Sequence, residues 1–455
     1  MADGAEEPDE GAAPAAGSAS DAPPPLPSGQ RKVKARKAFT SVVEVVGLIV
    51  AIPALVAMIV GAWTLLAVDD DPGPPVIEAD LGVVVAEFSA AHGDDVIGVS
   101  DLSQTFSNEL ETELTRRAAQ PAADGSLIDV EVQSSTETDP LDSDPVADLA
   151  GDAEDLARER HADLVITATV SEDRREVTPY LYVAPSAVPD ALELVGLHPL
   201  GAPVQTRMPV DENAAARADV RAALTERVSA TAELAIGLHR YGNGEYREAE
   251  ARFEYALELL PNPADDGLVL LFLGNTALKQ ERYDDAAAFY RQGLDSSGEV
   301  DARLDLGLAE VELHRSKGTC SQDPAGQVAL TELKAHYDDI LETADPELGD
   351  VFFDRTRFGL ARVEVCLATM GAVEWTEPAD IYARLADRYA DEGKGKRDLA
   401  AESLAGLGYI AGKGVVSWDE DICTDAASCY ARAAELAVDA DRKAAFRKQA
   451  ADHGS

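Results

Sequence analysis

Apolar and polar residues alternate along this chain with three different periods, and each predicts a different kind of element. From Val45 to Val68 no charged side chain occurs for 24 residues. A helix of that length covers roughly 36 Å, more than the ~30 Å hydrocarbon core of a bilayer. Pro53 lies inside this run, where a membrane helix tolerates the kink it imposes. Arg31, Lys32, Lys34, Arg36 and Lys37 precede it and Asp69, Asp70 and Asp71 follow it. The run is too long for the roughly 7–15-residue apolar region of a cleaved signal peptide. The pattern predicts one transmembrane helix within residues 38–68. The cationic flank predicts a cytoplasmic N-terminus, with everything after Val68 outside a cell membrane. Residues 1–37, rich in Ala, Pro and acid before the basic cluster, read as a disordered tail. Residues 69–75 read as a short stiff spacer.

Between residues 76 and 210 the pattern is that of a small α/β domain. Leu81–Phe88 is β-branched and almost wholly apolar, the mark of a buried strand. His92-Gly93-Asp94-Asp95 carries turn chemistry. From Ser100 or Asp101 to about Ala119, Leu102, Phe106, Leu110 and Leu114 fall on one helical face. Further strands are predicted over Leu127–Val132, Leu164–Val170 and Val177–Val183, with a helix over Val146–His161. This order favours a sheet covered by helices. The Glu87-Phe88 strand end, the Gly93-Asp94-Asp95 turn, Leu102 and Leu110, and Ala162-Asp163-Leu164-Val165-Ile166 resemble a Tol-type envelope α/β domain. That family includes the N-terminal domain of the Tol-system propeller protein and relatives fused to repeat arrays. The resemblance implies an interaction module and carries over no site residue.

Residues 211–455 repeat. Gly237/Gly274, Tyr246/Tyr283, Ala249/Ala286 and Phe253/Tyr290 are each 37 positions apart. Ala256 and Pro261 complete the first unit, and Leu306-Gly307 opens a third. In the second unit Gly293 and Gly298 stand where Ala and Pro are usual. The set resembles the tetratricopeptide repeat (TPR), a helical hairpin that stacks into a solenoid. Small residues let the paired helices approach, and the aromatics fill the seam to the next hairpin. Three further hairpins are predicted: Val300–His314 with Gln327–Thr343, Pro346–Met370 with Pro378–Ala390, and Arg397–Ala411 with Thr424–Val438. The last also resembles a Sel1-like repeat, through Gly406, Tyr409, Gly412, Gly414, Val415, Ala426, Tyr430, Ala433 and Ala434. Arg442–Ala451 is polar enough to cap the stack. The expected fold class is therefore an α-helical TPR-like solenoid plus a small α/β domain, behind one N-terminal transmembrane helix.

Charge and chemistry narrow the function. The net charge is −45, from 84 acidic and 39 basic residues, which argues against nucleic acid as a partner. The seven His do not cluster at ligand spacing, and no nucleophile elbow or phosphate loop is present. Asp419, Asp421 and Asp425 begin like a calcium loop, but Thr424 and Tyr430 stand where an EF-hand needs Gly and Glu. No cofactor, metal or catalytic residue is expected, and the chain does not read as an enzyme. Four cysteines allow three pairings. Cys320–Cys366 with Cys423–Cys429 is the favoured set outside the membrane, and four buried free thiols are the alternative. The inner face of each first TPR helix marks Glu233, Arg240, Leu270 and Ala277 as candidate groove positions, with an ordinary core and solvated face as the alternative. The function expected is a membrane-anchored scaffold that binds a protein or peptide with a basic segment. An envelope sensor whose α/β domain binds a small molecule or wall fragment is the second expectation.

Overall fold

A computed structural model gathers Pro72–Ser455 into one compact unit. It describes residues 76–455 apart from 93–94, 99, 121–126, 135–145, 189–190, 192–193, 261, 263–264, 298–301, 317–319, 321–323, 393, 416–420 and 455. The expected tail, membrane span and spacer lie outside the described residues. Among those described, no helix is long and apolar enough to cross a membrane.

The α/β region holds β1 (Leu81–Val85), β2 (Ser89–His92), β3 (Asp95–Gly98), α1 (Ser100–Ala118), β4 (Val130–Gln133), α2 (Val146–Arg160), β5 (Leu164–Val170), β6 (Glu176–Val183), β7 (Gly196–Pro199) and β8 (Val204–Gln205). β5 is central. β1 and β2 follow one another along one edge of it, both parallel, with Val84 beside Val165 and Ser89 beside Thr169. β4 pairs parallel with β1, and β3 antiparallel with β2. β6 runs antiparallel along the other edge of β5 and carries both β7 and β8.

Strand alternation explains why all of β1 is buried. Val83 and Val85 join α1's Leu102, Phe106, Leu110 and Leu114 in one core. Val84 and Ala86 face the other way, into a smaller core with Leu149, Ala153 and Leu156 of α2. Three details differ from the sequence expectation. The strand expected at Leu127–Val132 is shifted to Val130–Gln133, and the residues on either side of 93–94 pair as two short strands. β7 and β8, four and two residues long, are too short to show an apolar period.

The helical region comprises α3 (Ala214–Gly242), α4 (Tyr246–Leu259), α5 (Gly267–Lys279), α6 (Tyr283–Ser297), α7 (Ala302–Ser316), α8 (Pro324–Thr343), α9 (Gly349–Thr369), α10 (Thr376–Tyr389), α11 (Lys394–Ala411), α12 (Ala426–Leu436) and α13 (Ala440–His453). The first ten form five successive hairpins, and α13 buries none of its residues. Local chemistry sets several of the starts. The Asn213 side chain accepts from the Ala215 and Ala216 N–H groups at the head of α3. Asp425 and Ser428 close a capping box on α12. α3 runs 29 residues, roughly twice the length of α4, because it has two jobs. Its C-terminal part makes a hairpin with α4. Its N-terminal part lies beside α1, with Asp101 facing Arg221 and Glu113 facing Ser229. The core containing α1 continues without a break through all five hairpins.

Candidate functional site

The repeat signature is a set of rings laid over glycines. Phe253 of α4 covers Gly237 of α3, and a methyl group on that glycine would overlap the ring. Phe253 also meets Phe272 of the next hairpin, with ring centroids 5.5 Å apart. Tyr290 of α6 lies between Gly274 of α5 and Gly307 of α7, and its hydroxyl donates to Asn275 Oδ1 at 3.1 Å. The same device recurs as Tyr337 over Gly359 and Tyr382 over Gly406. Ala249, Ala256 and Ala286 are buried, while Tyr246 packs on Tyr241 and Tyr283 on His314. Gly293 has its own cause: a Cβ there would sit 2.9 Å from the Leu304 methyls. Pro261 and Gly298 lie outside the described residues. In the last hairpin Tyr430 packs beside Gly408 and stacks on His453, with Ala433 and Ala434 buried. Tyr409 is exposed beside Trp375, and Gly414 takes a positive φ of 80° at the turn after α11.

The four expected groove positions are all buried, so they offer no surface to a partner. Glu233 is 1% exposed. It pairs with Arg117 of α1 and accepts from Arg252 Nη1 at 3.1 Å. Arg117 also donates through Nε to Glu113 at 2.6 Å and lies over the Tyr255 ring. Hydrogen bonds from Arg116 and Arg117 hold the Glu113 carboxyl at about 2, against the opposing effect of burial. Arg240 is folded back onto Glu245 at 2.6 Å, and Leu270 and Ala277 are core. This corrects the expectation, and for Glu233 the reason is tertiary: Arg117 of the α/β region closes over it.

The covering segment is Gly196–Ala202, which sequence reasoning missed. Arg303 of α7 donates to the Leu197 carbonyl at 3.2 Å. His198 is buried, bonds the Leu194 carbonyl at 2.7 Å and meets Phe272 of α5 edge-on. Burial, reinforced by Arg303, pushes its imidazole well below the usual histidine range. Arg227 of α3 donates to the Leu200 and Ala202 carbonyls at 3.3 and 2.7 Å, and Asp265 accepts from the Ala202 N–H at 2.5 Å. Gly201 takes a positive φ of 90°, and a Cβ there would strike Asp265. Backbone carbonyls of this segment thus meet arginines on α3 and α7, as those of a bound peptide do in a recognition groove.

Farther along the stack the first helices carry a cavity of about 300 Å³ between α5, α7 and α9. Lys279, Arg303, Glu310, His314 and Arg355 line it. Glu310 is buried and accepts from the Tyr337 hydroxyl at 3.1 Å and from Arg362 at 3.2 Å. Burial raises its pKa, but the Arg355 and Arg362 guanidiniums more than offset that and bring it to about 2. Two covalent links lie in this half. Cys320 is joined to Cys366, with Cα atoms 5.0 Å apart, and Cys423 to Cys429 at 5.1 Å.

The tetratricopeptide repeat family model matches residues 234–301 and 271–317, which hold the C-terminal part of α3 and helices α4 to α7. With the stacked hairpins, this match supports a TPR protein, and such repeats generally serve as non-catalytic scaffolds that bind proteins or peptides. No curated protein matches the chain. Among the described residues, no three His, Cys, Asp or Glu side chains converge on a metal position.

Proposed function

We propose that this protein is a membrane-anchored scaffold of the cell envelope that holds a protein or peptide on its later hairpins, α7 to α12. The observation that carries this reading is the occupied first-helix face of the early hairpins. With Gly196–Ala202 seated on α3, α5 and α7, the recognition surface moves outward, to the cavity beside Glu310 and the first helices beyond it. The apolar run Val45–Val68 and its basic flank support the anchor, with the N-terminus in the cytoplasm and the repeats outside. The resemblance of the α/β region to a Tol-type envelope domain supports the envelope setting. The acidic surplus supports a partner with a basic segment, because opposite charge speeds encounter.

Crosslinking of the full-length chain in its native membrane, followed by mass spectrometry, tests the proposal. Crosslinks should map to α7–α12, and the partner's on-rate should fall steeply as salt rises. Crosslinks confined to the α/β region would overturn the scaffold reading. A cavity bordered by the α/β region and α3 favours a second reading, an envelope sensor of a small ligand.

A further inference from the structure

A cavity of about 490 Å³ opens where the amino-terminal ends of β1 and β5 meet the carboxy-terminal end of α3. That volume falls within the range of small-molecule sites, roughly 300–1,000 Å³. Leu164 and Leu238 supply apolar wall, and Asp80, Asp163, Ser186 and His239 supply the polar groups. Among the described residues, no lysine or arginine lines it.

Asp163 is the deeper carboxylate. Its Oδ2 accepts from the Gly82 N–H at 3.1 Å and its Oδ1 from the Ser186 hydroxyl at 3.1 Å. These bonds fix the carboxylate in place without a countercharge, and burial pushes its pKa up. Asp80 is exposed at the mouth, where it accepts from the Asp129 N–H at 3.1 Å. His239 approaches Asn243 through Nε2 at 3.0 Å. Burial, aided by neighbouring Arg240, pushes its imidazole down, so it adds no positive charge at neutral pH. The cavity therefore pairs an apolar wall with two carboxylates, one held inside by two donors and one at the entrance.

We propose that this cavity binds a small organic cation, with a protonated amine on Asp163 and an apolar body along Leu164 and Leu238. A positive group within hydrogen-bond reach restores to Asp163 the favourable charge interaction that burial removes. A second positive group at the other end of a longer ligand meets Asp80. The site uses residues of both regions, Asp163 from β5's entry and His239 from α3, so occupancy braces their junction. The proposal is independent of the scaffold reading.

Calorimetric titration of the full-length chain in detergent with phenethylamine, cadaverine and agmatine tests it, with phenethyl alcohol as the neutral counterpart of the first. At least one amine should bind with a Kd below about 1 mM, and the alcohol should not. Asp163→Asn should weaken that amine about tenfold or more, since it removes a charge-assisted bond. Asp80→Asn changes an exposed side chain and leaves folding intact. It should weaken cadaverine and agmatine more than phenethylamine, and this holds the test even where Asp163→Asn does not fold. Absence of binding by all three amines overturns the proposal. Equal binding of amine and alcohol, or amine binding unchanged in both folded variants, does the same.

Discussion

The early hairpins, α3 to α6, and the later ones, α7 to α12, are built from the same unit and held by different means. Both lay an aromatic ring over a glycine: Tyr290 on Gly274 in the first set, Tyr337 on Gly359 and Tyr382 on Gly406 in the second. Both bury a carboxylate on a first helix. Glu233 is shared between Arg117 on α1, in the α/β region, and Arg252 on α4, whereas Glu310 finds its partners on α8 and α9, within the stack. The early set has a folded domain against its first helices and no cysteine. The later set touches that domain through Arg303 on the Leu197 carbonyl and Lys396 on Glu154, and carries both disulfides. The difference teaches that a repeat unit specifies its hairpin but not what braces it. One end is braced by another domain, the other by cross-links and arginines.

The largest test of that contrast is covalent. Removing Cys320–Cys366, which closes a separation of 46 residues, should cost about 4 kcal/mol by loop entropy, against about 2 for the six-residue Cys423–Cys429 link. In Cys320→Ala/Cys366→Ala, hydrogen exchange should show α8 and α9 losing protection while α3 and α4 keep theirs. Glu233→Ala is the mirror experiment. It strands part of the Arg117 charge in a buried site and should cost about 3 kcal/mol, the lower end for such pairs because Glu113 remains. Here α1 and α3 should lose protection first. Uniform loss across the chain in both variants would show that the two ends are not braced separately.

Gly274→Ala and Gly359→Ala sharpen the comparison from the other side. Each puts a methyl group into a buried tyrosine ring and should cost about 2 kcal/mol by overpacking, read from denaturant midpoints. Because the device is the same, the two values should agree. The most gradual effect is set by pH. Glu310 is held at about 2, below its ordinary 4.5, so the stability it gives is present above that ordinary value and is lost as pH falls toward 2. Within that window the slope should be about 1.4 kcal/mol per pH unit for this one group. Glu310→Gln should flatten that part of the acid-unfolding curve.

How much of this was legible depends on the distance over which a pattern acts. Leu102, Phe106, Leu110 and Leu114 announced α1 because the helical period repeats within one element. The buried strand at Leu164–Val170 was legible from its short apolar, β-branched run, and so were the paired Gly237 and Gly274, where an aromatic ring leaves no room for a methyl group. What the sequence by itself determined is therefore local: the strands, the hairpins and the ring-over-glycine repeat. Only the tertiary structure decided which surface remains for a partner. Glu233 looked like a groove residue because a TPR hairpin exposes the inner face of its first helix, but Arg117, 116 positions away, closes over it. The Gly196–Ala202 segment gave no signal, since its carbonyls are backbone and every residue has one. Burial of a charged side chain turns on contacts between distant segments, and no period in the chain encodes them.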